Sequence, residues 1–240
     1  MRGWWREISD VVLPAFCGGC GRPRTALCEV CAASLYGSPA RRARPDPEPA
    51  GLPAVFAAAP YGDAVRAVLL AHKERGALGL TGALGMALAG AVLAAVPSGP
   101  AAGPLLLVPV PSSRSAVRAR GHDPARRIAL SASRALRGTG VRARTVAVLR
   151  QRRAVVDQTG LDARQRLANL AGALEVVVGG VRLLEGGRVV FVDDLMTTGA
   201  SLVEAARAVR VAGVRGFPGT GEPGAAVIAA PPLAFEINRN

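Results

Sequence analysis

The sequence predicts an α/β fold, with a mostly parallel sheet flanked by helices and a small four-cysteine module in front of it. Three observations support this prediction. Apolar runs of strand length alternate with helical periodicity from Ala54 onward, all four cysteines lie within the first 36 residues, and half of the 240 residues are hydrophobic. A chain of this composition can bury enough apolar surface to fold, so wholesale disorder is excluded.

The predicted elements follow in order along the chain. Residues 1–36 form the expected cysteine module, and residues 37–53 contain five prolines, which favour an exposed, extended linker. In the remaining domain, residues 54–240, apolar runs predict strands at 55–59, 105–109, 145–149, 174–178, 188–192 and 225–230. Apolar residues at helical spacing predict helices at 64–72, 81–96, 124–136, 163–170 and 200–211.

One stretch has the length of a membrane span, because residues 77–96 contain no charged side chain. The stretch is rich in Ala and Gly, so its transfer into lipid would gain little free energy, and a tightly packed core helix is the better interpretation. The first ten residues lack the continuous apolar core of a signal peptide. We therefore expect no membrane span and a cytoplasmic protein.

The four cysteines form two Cys-x-x-Cys pairs separated by seven residues; they are Cys17, Cys20, Cys28 and Cys31. Each pair can place two thiolates about 2.3 Å from one Zn²⁺, and both pairs together complete a tetrahedron. Two alternatives remain. Two disulfides are disfavoured in a reducing cytosol, and a redox dithiol needs only one such pair. With four thiolate ligands, zinc would be structural, because no coordination position is left for a substrate.

Residues 188–201 are the most informative for function. An apolar strand ends in two adjacent carboxylates, Asp193 and Asp194, and a short turn then leads into an amphipathic helix. The amino end of a helix favours a phosphate, and the turn and first helical residues add hydroxyls and a glycine; they are Thr197, Thr198, Gly199, Ala200 and Ser201. A ligand with both diol hydroxyls and a phosphate, such as a ribose 5-phosphate, would suit this combination. The alternative is an ordinary helix cap beside solvated acids.

Residues 189–201 resemble the thirteen-residue signature of type I phosphoribosyltransferases, which bind 5-phosphoribosyl 1-diphosphate (PRPP). Other motifs, and the four-cysteine front end, are similar to the ComF/GntX-like group of that family. These motifs are Val-Pro-Val-Pro-Ser-Ser-Arg at 108–114, Arg-Ala-Arg-Gly-His-Asp at 118–123, Leu-Arg-Gln-Arg-Arg at 149–153, Asp-Gln-Thr-Gly-Leu at 157–161 and Arg-Leu-Ala-Asn-Leu at 166–170. The resemblance covers nearly the whole chain and implies a type I phosphoribosyltransferase-like fold with a small zinc-ribbon module.

The resemblance also implies a role for each matching residue. Asp193 and Asp194 would be the catalytic acids that hold the ribose hydroxyls, and residues 197–201 would cradle the 5-phosphate. Residues 150–158 would close over the site. Mg²⁺, bound mainly through the oxygens of PRPP, would neutralise the leaving diphosphate. The diphosphate itself would lie near Pro111, Ser112, Ser113, Arg114 and Arg120.

The chain departs from the family pattern at two places. His122, Asp123 and Pro124 stand where the family usually has Phe-Asn-Gln, and Val155 and Val156 stand where it usually has a Thr before the loop glutamine. These departures affect the segments expected to meet the acceptor and to close the site. They leave the proposed phosphate loop unchanged.

The formal charge of +13 indicates an anionic partner, although an arginine-rich composition also accompanies a high-GC genome. Twelve arginines and one acid lie between Arg114 and Arg153. Any one of these arginines can equally lie on a solvated helix face. Lys73 resembles a family lysine and can contact a phosphate or end a helix in solvent. His122 can donate a proton or make a local hydrogen bond.

Two hypotheses of different classes follow. In the first, the chain is a Mg²⁺-dependent phosphoribosyltransferase that acts on PRPP and an unidentified acceptor. In the second, it keeps the fold but serves nucleic-acid transactions, because the ComF resemblance implies a link to DNA uptake; the partners would then be single-stranded DNA or a DNA-uptake helicase. A metal-dependent hydrolase is disfavoured, because the acid pair has no further His or carboxylate ligands near it in sequence.

Overall fold

The computed structural model describes residues 16–96, 103–155, 160–214 and 223–235. Its main feature is a six-stranded sheet with the order β1-β2-β8-β7-β3-β4. These strands are β1 (Arg41–Ala43), β2 (Val55–Pro60), β3 (Leu105–Pro109), β4 (Ala143–Thr145), β7 (Arg188–Leu195) and β8 (Gly224–Ala230). A separate antiparallel pair consists of β5 (Leu149–Gln151) and β6 (Leu174–Val176).

Five strands of the large sheet run parallel, and only the edge strand β1 runs antiparallel to its neighbour. Both faces of the sheet are covered. Val190 and Val192 of β7 enter one hydrophobic core, whereas Val189 and Phe191 enter the other. This explains why the central strands have continuous apolar sequences, as expected for parallel strands buried on both sides. The predicted α/β class with a mostly parallel sheet is confirmed.

Helices cover the two faces. The longest uncharged one, α3, has fourteen residues, of which seven are buried, and no helix among the described residues is long and apolar enough to cross a membrane. The core-helix interpretation of this stretch is therefore confirmed. The helices are α1 (Glu29–Tyr36), α2 (Asp63–Glu74), α3 (Thr81–Ala94), α4 (Arg114–Arg120), α5 (Pro124–Gly138), α6 (Ala163–Leu170), α7 (Gly180–Leu184) and α8 (Ala200–Val211).

Two predicted strands differ from the structure. The strand predicted at 145–149 is divided: β4 ends at Thr145, and β5 begins at Leu149 and leaves the main sheet. The strand predicted at 174–178 ends at Val176 and pairs with β5 rather than with the parallel sheet. Short-range hydrophobicity cannot distinguish the two sheets, because both present apolar side chains to the same core.

The proline-rich segment is more than an exposed linker. Within it, β1 pairs with β2, and Ala43 is 1% exposed. The backbone is extended, as proline favours, and the edge position tolerates missing hydrogen-bond donors. The α1 helix joins the larger fold too, since Leu35 lies fully buried in the same core as α2 and α3. The proposed division into a module, a linker and a domain stays a prediction.

A buried ion pair attaches the β5–β6 pair to α8. Glu204 is 3% exposed and accepts hydrogen bonds from the backbone N–H groups of Gly172 (3.1 Å) and Leu174 (2.8 Å). It also accepts two from Arg207, at 2.7 and 2.8 Å, and Arg207 donates to the Leu174 carbonyl at 3.0 Å. One carboxylate thus fixes the turn before β6 against the first turns of α8.

Replacing this carboxylate tests the attachment. We expect Glu204→Gln to lower the free energy of unfolding by about 2–4 kcal/mol, because an amide must face two N–H donors and leaves Arg207 without its charged partner. Urea unfolding measures the effect. Arg210→Gln, on the exposed face of the same helix, is the matched control and should change stability by less than about 0.5 kcal/mol. Equal effects of the two substitutions would contradict the assigned role.

Candidate functional site

The candidate site lies at the carboxyl edge of the parallel sheet, where β3 ends at Pro109 and the neighbouring β7 continues to Leu195. Pro109 of β3 pairs with Val192 of β7, and the Val110 N–H donates to the Val192 carbonyl at 2.9 Å. The turn of residues 111–113 and the turn of residues 196–199 follow these two strands directly. In parallel sheets, ligands bind at this edge.

The acid pair lies near the end of β7, and this strand continues three residues beyond its predicted end. Asp194 is 6% exposed, and its Oδ2 lies 2.7 Å from the Nζ of Lys73 at the end of α2. The Asp194 N–H donates to Oδ1 of Asp193 at 2.8 Å. Lys73 is therefore neither a solvent-exposed helix end nor an isolated cation, because it balances the charge of the buried carboxylate.

The two acids differ in their electrostatic surroundings. Burial and the neighbouring Asp194 carboxylate raise the pKa of Asp193 well above its usual range. Burial alone would lower the pKa of Lys73, but the charges of Asp194 and Asp193 outweigh it and raise that pKa. Lys73 therefore stays charged and compensates the buried Asp194 carboxylate, whereas the Asp193 carboxyl binds a proton more readily than a free one.

The turn after the acids is built for close approach. Gly199 has φ of +77° and is the N-cap of α8, and no side chain caps this helix. The first N–H groups of an uncapped helix lack intrahelical acceptors. Thr197 is exposed, and Thr198 and Ser201 are partly exposed. A Cβ at position 199 would lie 2.7 Å from Cδ1 of Leu52, so the end of the proline-rich segment covers the inner side of this turn.

A cation that the sequence analysis missed lies beside this turn. The Nη1 of Arg166 on α6 donates to Oγ1 of Thr197 at 3.1 Å. The α6 helix is held there because Leu170 and Leu167 pack against Ala200. The Arg-Leu-Ala-Asn-Leu motif at 166–170 begins with this arginine, but the sequence pattern does not indicate that its side chain contacts a turn 31 residues further along the chain.

One residue that the resemblance placed near the diphosphate, Ser113, has a structural role in the turn after β3. Ser113 is the N-cap of α4, and its hydroxyl accepts from the Ala116 N–H at 3.1 Å. Pro111 and Ser112 are partly exposed beside β7, and Arg114 is exposed. The sequence analysis assigned no element to residues 114–120 and so missed α4.

Arg120, the last residue of α4, forms an ion pair at the end of α2. Its Nε lies 2.9 Å from Oε2 of Glu74, the last residue of α2. It is close enough to Lys73 to oppose, slightly, the rise of that lysine's pKa. Two ion pairs, Lys73 with Asp194 and Arg120 with Glu74, thus hold the end of α2 to β7 and α4.

Two histidines pack together below these ion pairs. His72 is 1% exposed, its Nε2 lies 3.1 Å from Oγ1 of Thr81, and its ring meets the His122 ring edge to face at a centroid distance of 5.7 Å. Nδ1 of His122 lies 3.1 Å from the Arg120 carbonyl oxygen. This is the local hydrogen bond that sequence analysis gave as the alternative to proton donation.

The four cysteine sulfurs lie within 4.8 Å of one another. All four cysteines are free, and the Cys20 and Cys28 sulfurs are 3.6 Å apart, too far for a disulfide. Zn–S bonds of about 2.3 Å require sulfurs about 3.8 Å apart in a tetrahedron. The donor set and its spacing therefore fit a structural metal ion such as zinc, as the sequence predicted.

Backbone geometry prepares the cluster for a cation. Burial alone raises the pKa of the Cys17 thiol, but hydrogen bonds from the N–H groups of Cys20, Cys28 and Gly19 outweigh it and lower that pKa to about 6. The Cys28 N–H lies 3.3 Å from the Cys17 sulfur. A Cβ on Gly19 would lie 2.6 Å from the Cys31 sulfur, so the first Cys-x-x-Cys pair has room only for glycine at this position.

The cluster packs against the helix that carries Lys73. A Cβ on Gly18 would meet Leu80 and Ala71, and one on Gly19 would meet Ala64. Ala64 and Ala71 belong to α2. The cysteine cluster is thus connected to the acid pair through a single helix, although no cysteine is part of the acid site. Residues 1–15, which include both tryptophans, lie outside the described residues.

Comparison with known proteins gives no assignment. No protein-family model matches the chain, and no curated protein is significantly similar to it in sequence.

The cysteine geometry predicts one tightly held zinc ion. We expect about one Zn²⁺ per chain by elemental analysis, and chelation should lower the melting temperature by roughly 2–4 °C for each kcal/mol of lost stability. Cys28→Ser should remove the metal. Val30→Ala, an exposed position inside the same Cys-x-x-Cys pair, should retain it. A Cys28→Ser protein with a full complement of zinc would contradict the site.

The buried imidazole of His72 predicts loss of stability in acid. Burial, followed by the positive charges of His122 and Arg127, lowers the pKa of His72 from 6.5 to about 4. The unfolded chain therefore binds a proton more readily, so the stabilising contribution is complete above pH 6.5 and is lost as the pH falls towards 4. At most about 3 kcal/mol is involved.

Comparing His72→Gln with the unaltered protein measures this contribution. Urea unfolding at several pH values should show a flatter decline between pH 6.5 and 4 in the variant. Asp193, whose raised pKa gives the opposite slope, is present in both proteins and cancels in the difference. Parallel curves would show that the His72 imidazole is not the group responsible.

Proposed function

We propose that the chain is a phosphoribosyltransferase-like protein that binds PRPP, or a related ribose 5-phosphate, with Mg²⁺. The observation that carries this proposal is the juxtaposition at the end of β7. The carboxylates of Asp193 and Asp194 lie directly before a turn whose Gly199 opens an uncapped helix. Oxygen acceptors for hydroxyls and N–H donors for a phosphate therefore adjoin one another, as a sugar phosphate requires.

Each part of the chain has a distinct task in this proposal. The half-buried Asp193 accepts hydrogen bonds from the ribose hydroxyls, and Asp194, with Lys73, fixes its position. The N–H groups at the start of α8 and the hydroxyls of Thr197, Thr198 and Ser201 hold the 5-phosphate. The turn of residues 111–113 follows β3 next to the end of β7 that carries the acids, and the diphosphate of PRPP would lie there. The acceptor is not specified by these residues.

The donor set suits a magnesium ion that is bound mainly through the ligand. Mg²⁺ prefers oxygen donors and keeps several waters or phosphate oxygens. The carboxylates of the acid pair are suitable oxygens, but Lys73 already neutralises Asp194, so most ligands would come from PRPP. The ion would supply charge neutralisation of the diphosphate leaving group. The protein's own residues orient the ribose and exclude water from its C1.

A nucleic-acid role is the second candidate, and the distribution of arginine favours it. Of the twelve arginines between Arg114 and Arg153, eleven are exposed. Several already have protein partners, however, since Arg137 and Arg144 donate to backbone carbonyls and Arg150 pairs with Glu175. The remaining exposed arginines on α4 and α5 would contact phosphates in this candidate, as in an accessory protein of DNA uptake.

Ligand-dependent stability tests the first proposal. With Mg²⁺ present and PRPP at about a hundred times its dissociation constant, the free energy of unfolding should rise by about 2.7 kcal/mol. Asp193→Asn should reduce or abolish the rise, because it removes an acceptor for the ribose hydroxyls. Glu185→Gln, an exposed acid, is the matched control and should respond fully. The two variants are compared only after their stabilities without ligand are known.

Salt dependence of DNA binding tests the second candidate. If about six phosphates are contacted, the logarithm of the binding constant should fall against the logarithm of salt concentration with a slope of about −4 to −5. Gln in place of Arg118 and Arg126, both exposed, should reduce that slope by roughly one to two. No stabilisation by PRPP, together with a steep slope for single-stranded DNA, would exclude the first proposal and support the second.

A further inference from the structure

We propose that Arg166 is the phosphate-selecting residue of this site: its guanidinium takes an oxygen of a dianionic phosphate monoester that is bound at the start of α8. This inference rests on the proposed function and deepens it, because it assigns the cation that recognises the 5-phosphate. The Nη1 of Arg166 already contacts the turn of residues 196–199, donating to Oγ1 of Thr197 at 3.1 Å.

The rest of α6 fixes where this guanidinium can lie. Asp162 and Gln165 form a reciprocal capping box, with bonds of 2.8 and 2.9 Å, and the Arg166 N–H donates to the Asp162 carbonyl at 2.9 Å. At the other end of the helix, Leu170 packs against Ala200 of α8. Contacts at both ends of α6 therefore hold the backbone of Arg166 beside the turn of residues 196–199.

One donor of Arg166 has no acceptor in the described part of the chain. Its Nε is shielded from solvent and has no hydrogen-bond partner there, and a buried donor without an acceptor costs about 1–3 kcal/mol. Among the described residues, no carboxylate forms an ion pair with Arg166. The Arg166 side chain as a whole is partly exposed, contacts Thr197 and has no carboxylate partner in the described part of the chain, so its guanidinium can pair with an anion that arrives from outside the chain.

The chemistry of the arrangement favours a phosphate monoester over a diester or a carboxylate. Uncapped N–H groups of α8, the hydroxyl of Thr197 and the guanidinium offer more donors than a single carboxylate can accept. A monoester exposes three oxygens and carries nearly two negative charges above its second pKa of about 6. A guanidinium pairs with such a group through a planar fork that lysine cannot reproduce.

Calorimetric titration of the full chain with ribose 5-phosphate, and with ribose as the ligand that lacks a phosphate, tests the inference. We expect Arg166→Gln to weaken ribose 5-phosphate binding about 10- to 100-fold, with Arg166→Lys intermediate. The matched control is Arg164→Gln, an exposed arginine on the same helix, which should bind within about twofold of the unaltered chain. Thermal melting without ligand establishes that each variant is folded.

The pH profile distinguishes recognition of the phosphate from a purely structural role. Affinity of the unaltered chain should rise between pH 5.5 and 7.5 as the ligand gains its second charge, and this rise should shrink in Arg166→Gln. If ribose 5-phosphate binds and Arg166→Gln behaves like Arg164→Gln, the inference is overturned while the proposed function stands.

Inorganic phosphate separates failure of this inference from failure of the proposed function. If neither ribose 5-phosphate nor PRPP binds, but inorganic phosphate binds in a way that depends on Arg166, the anion site stands without the transferase role. If inorganic phosphate does not bind either, both ideas are overturned.

Discussion

Burial of the Asp194 carboxylate is the constraint on which the candidate site depends. Little solvent reaches Asp194 at the end of the central strand β7, and the Asp193 carboxyl lies next to it. An uncompensated charge in such a place would cost several kcal/mol. Lys73, at 2.7 Å, supplies the compensating charge, so the last turn of α2 must meet the end of β7. The position of α2 is therefore set by electrostatics as well as by its apolar face.

Because α2 is fixed at that end, whatever packs on it is also placed relative to the acids. The cysteine cluster rests on Ala64 and Ala71, and His72 fills the core beside Lys73. A metal at the cysteines would thus stiffen the helix that carries the charge partner of Asp194. This gives a structural metal a reason to accompany the site without taking part in its chemistry.

Much of the fold could be predicted from the sequence, because the central strands are buried on both faces and so keep long apolar runs that end in polar turns. The segment from β7 to α8 was predicted from such local signals. Contacts between distant segments were not predictable in this way. The pair of Lys73 with Asp194, the approach of Arg166 to Thr197 and the separate β5–β6 sheet all depend on which elements become neighbours, and single-residue patterns carry no information about that.

The same distinction governs how the arginine-rich composition should be interpreted. Arg137 and Arg144 satisfy carbonyls, Arg120 and Arg207 balance acids, and these uses would exist whatever the protein binds. Arg166 differs from them because, among the described residues, its Nε has no hydrogen-bond partner. A ligand that joins this side of the site to the acids would present an anionic oxygen at one end and hydroxyl donors at the other. A ligand made only of anionic groups lacks those hydroxyl donors, and any further phosphate near Asp193 would need a cation such as Mg²⁺ to offset the repulsion between like charges.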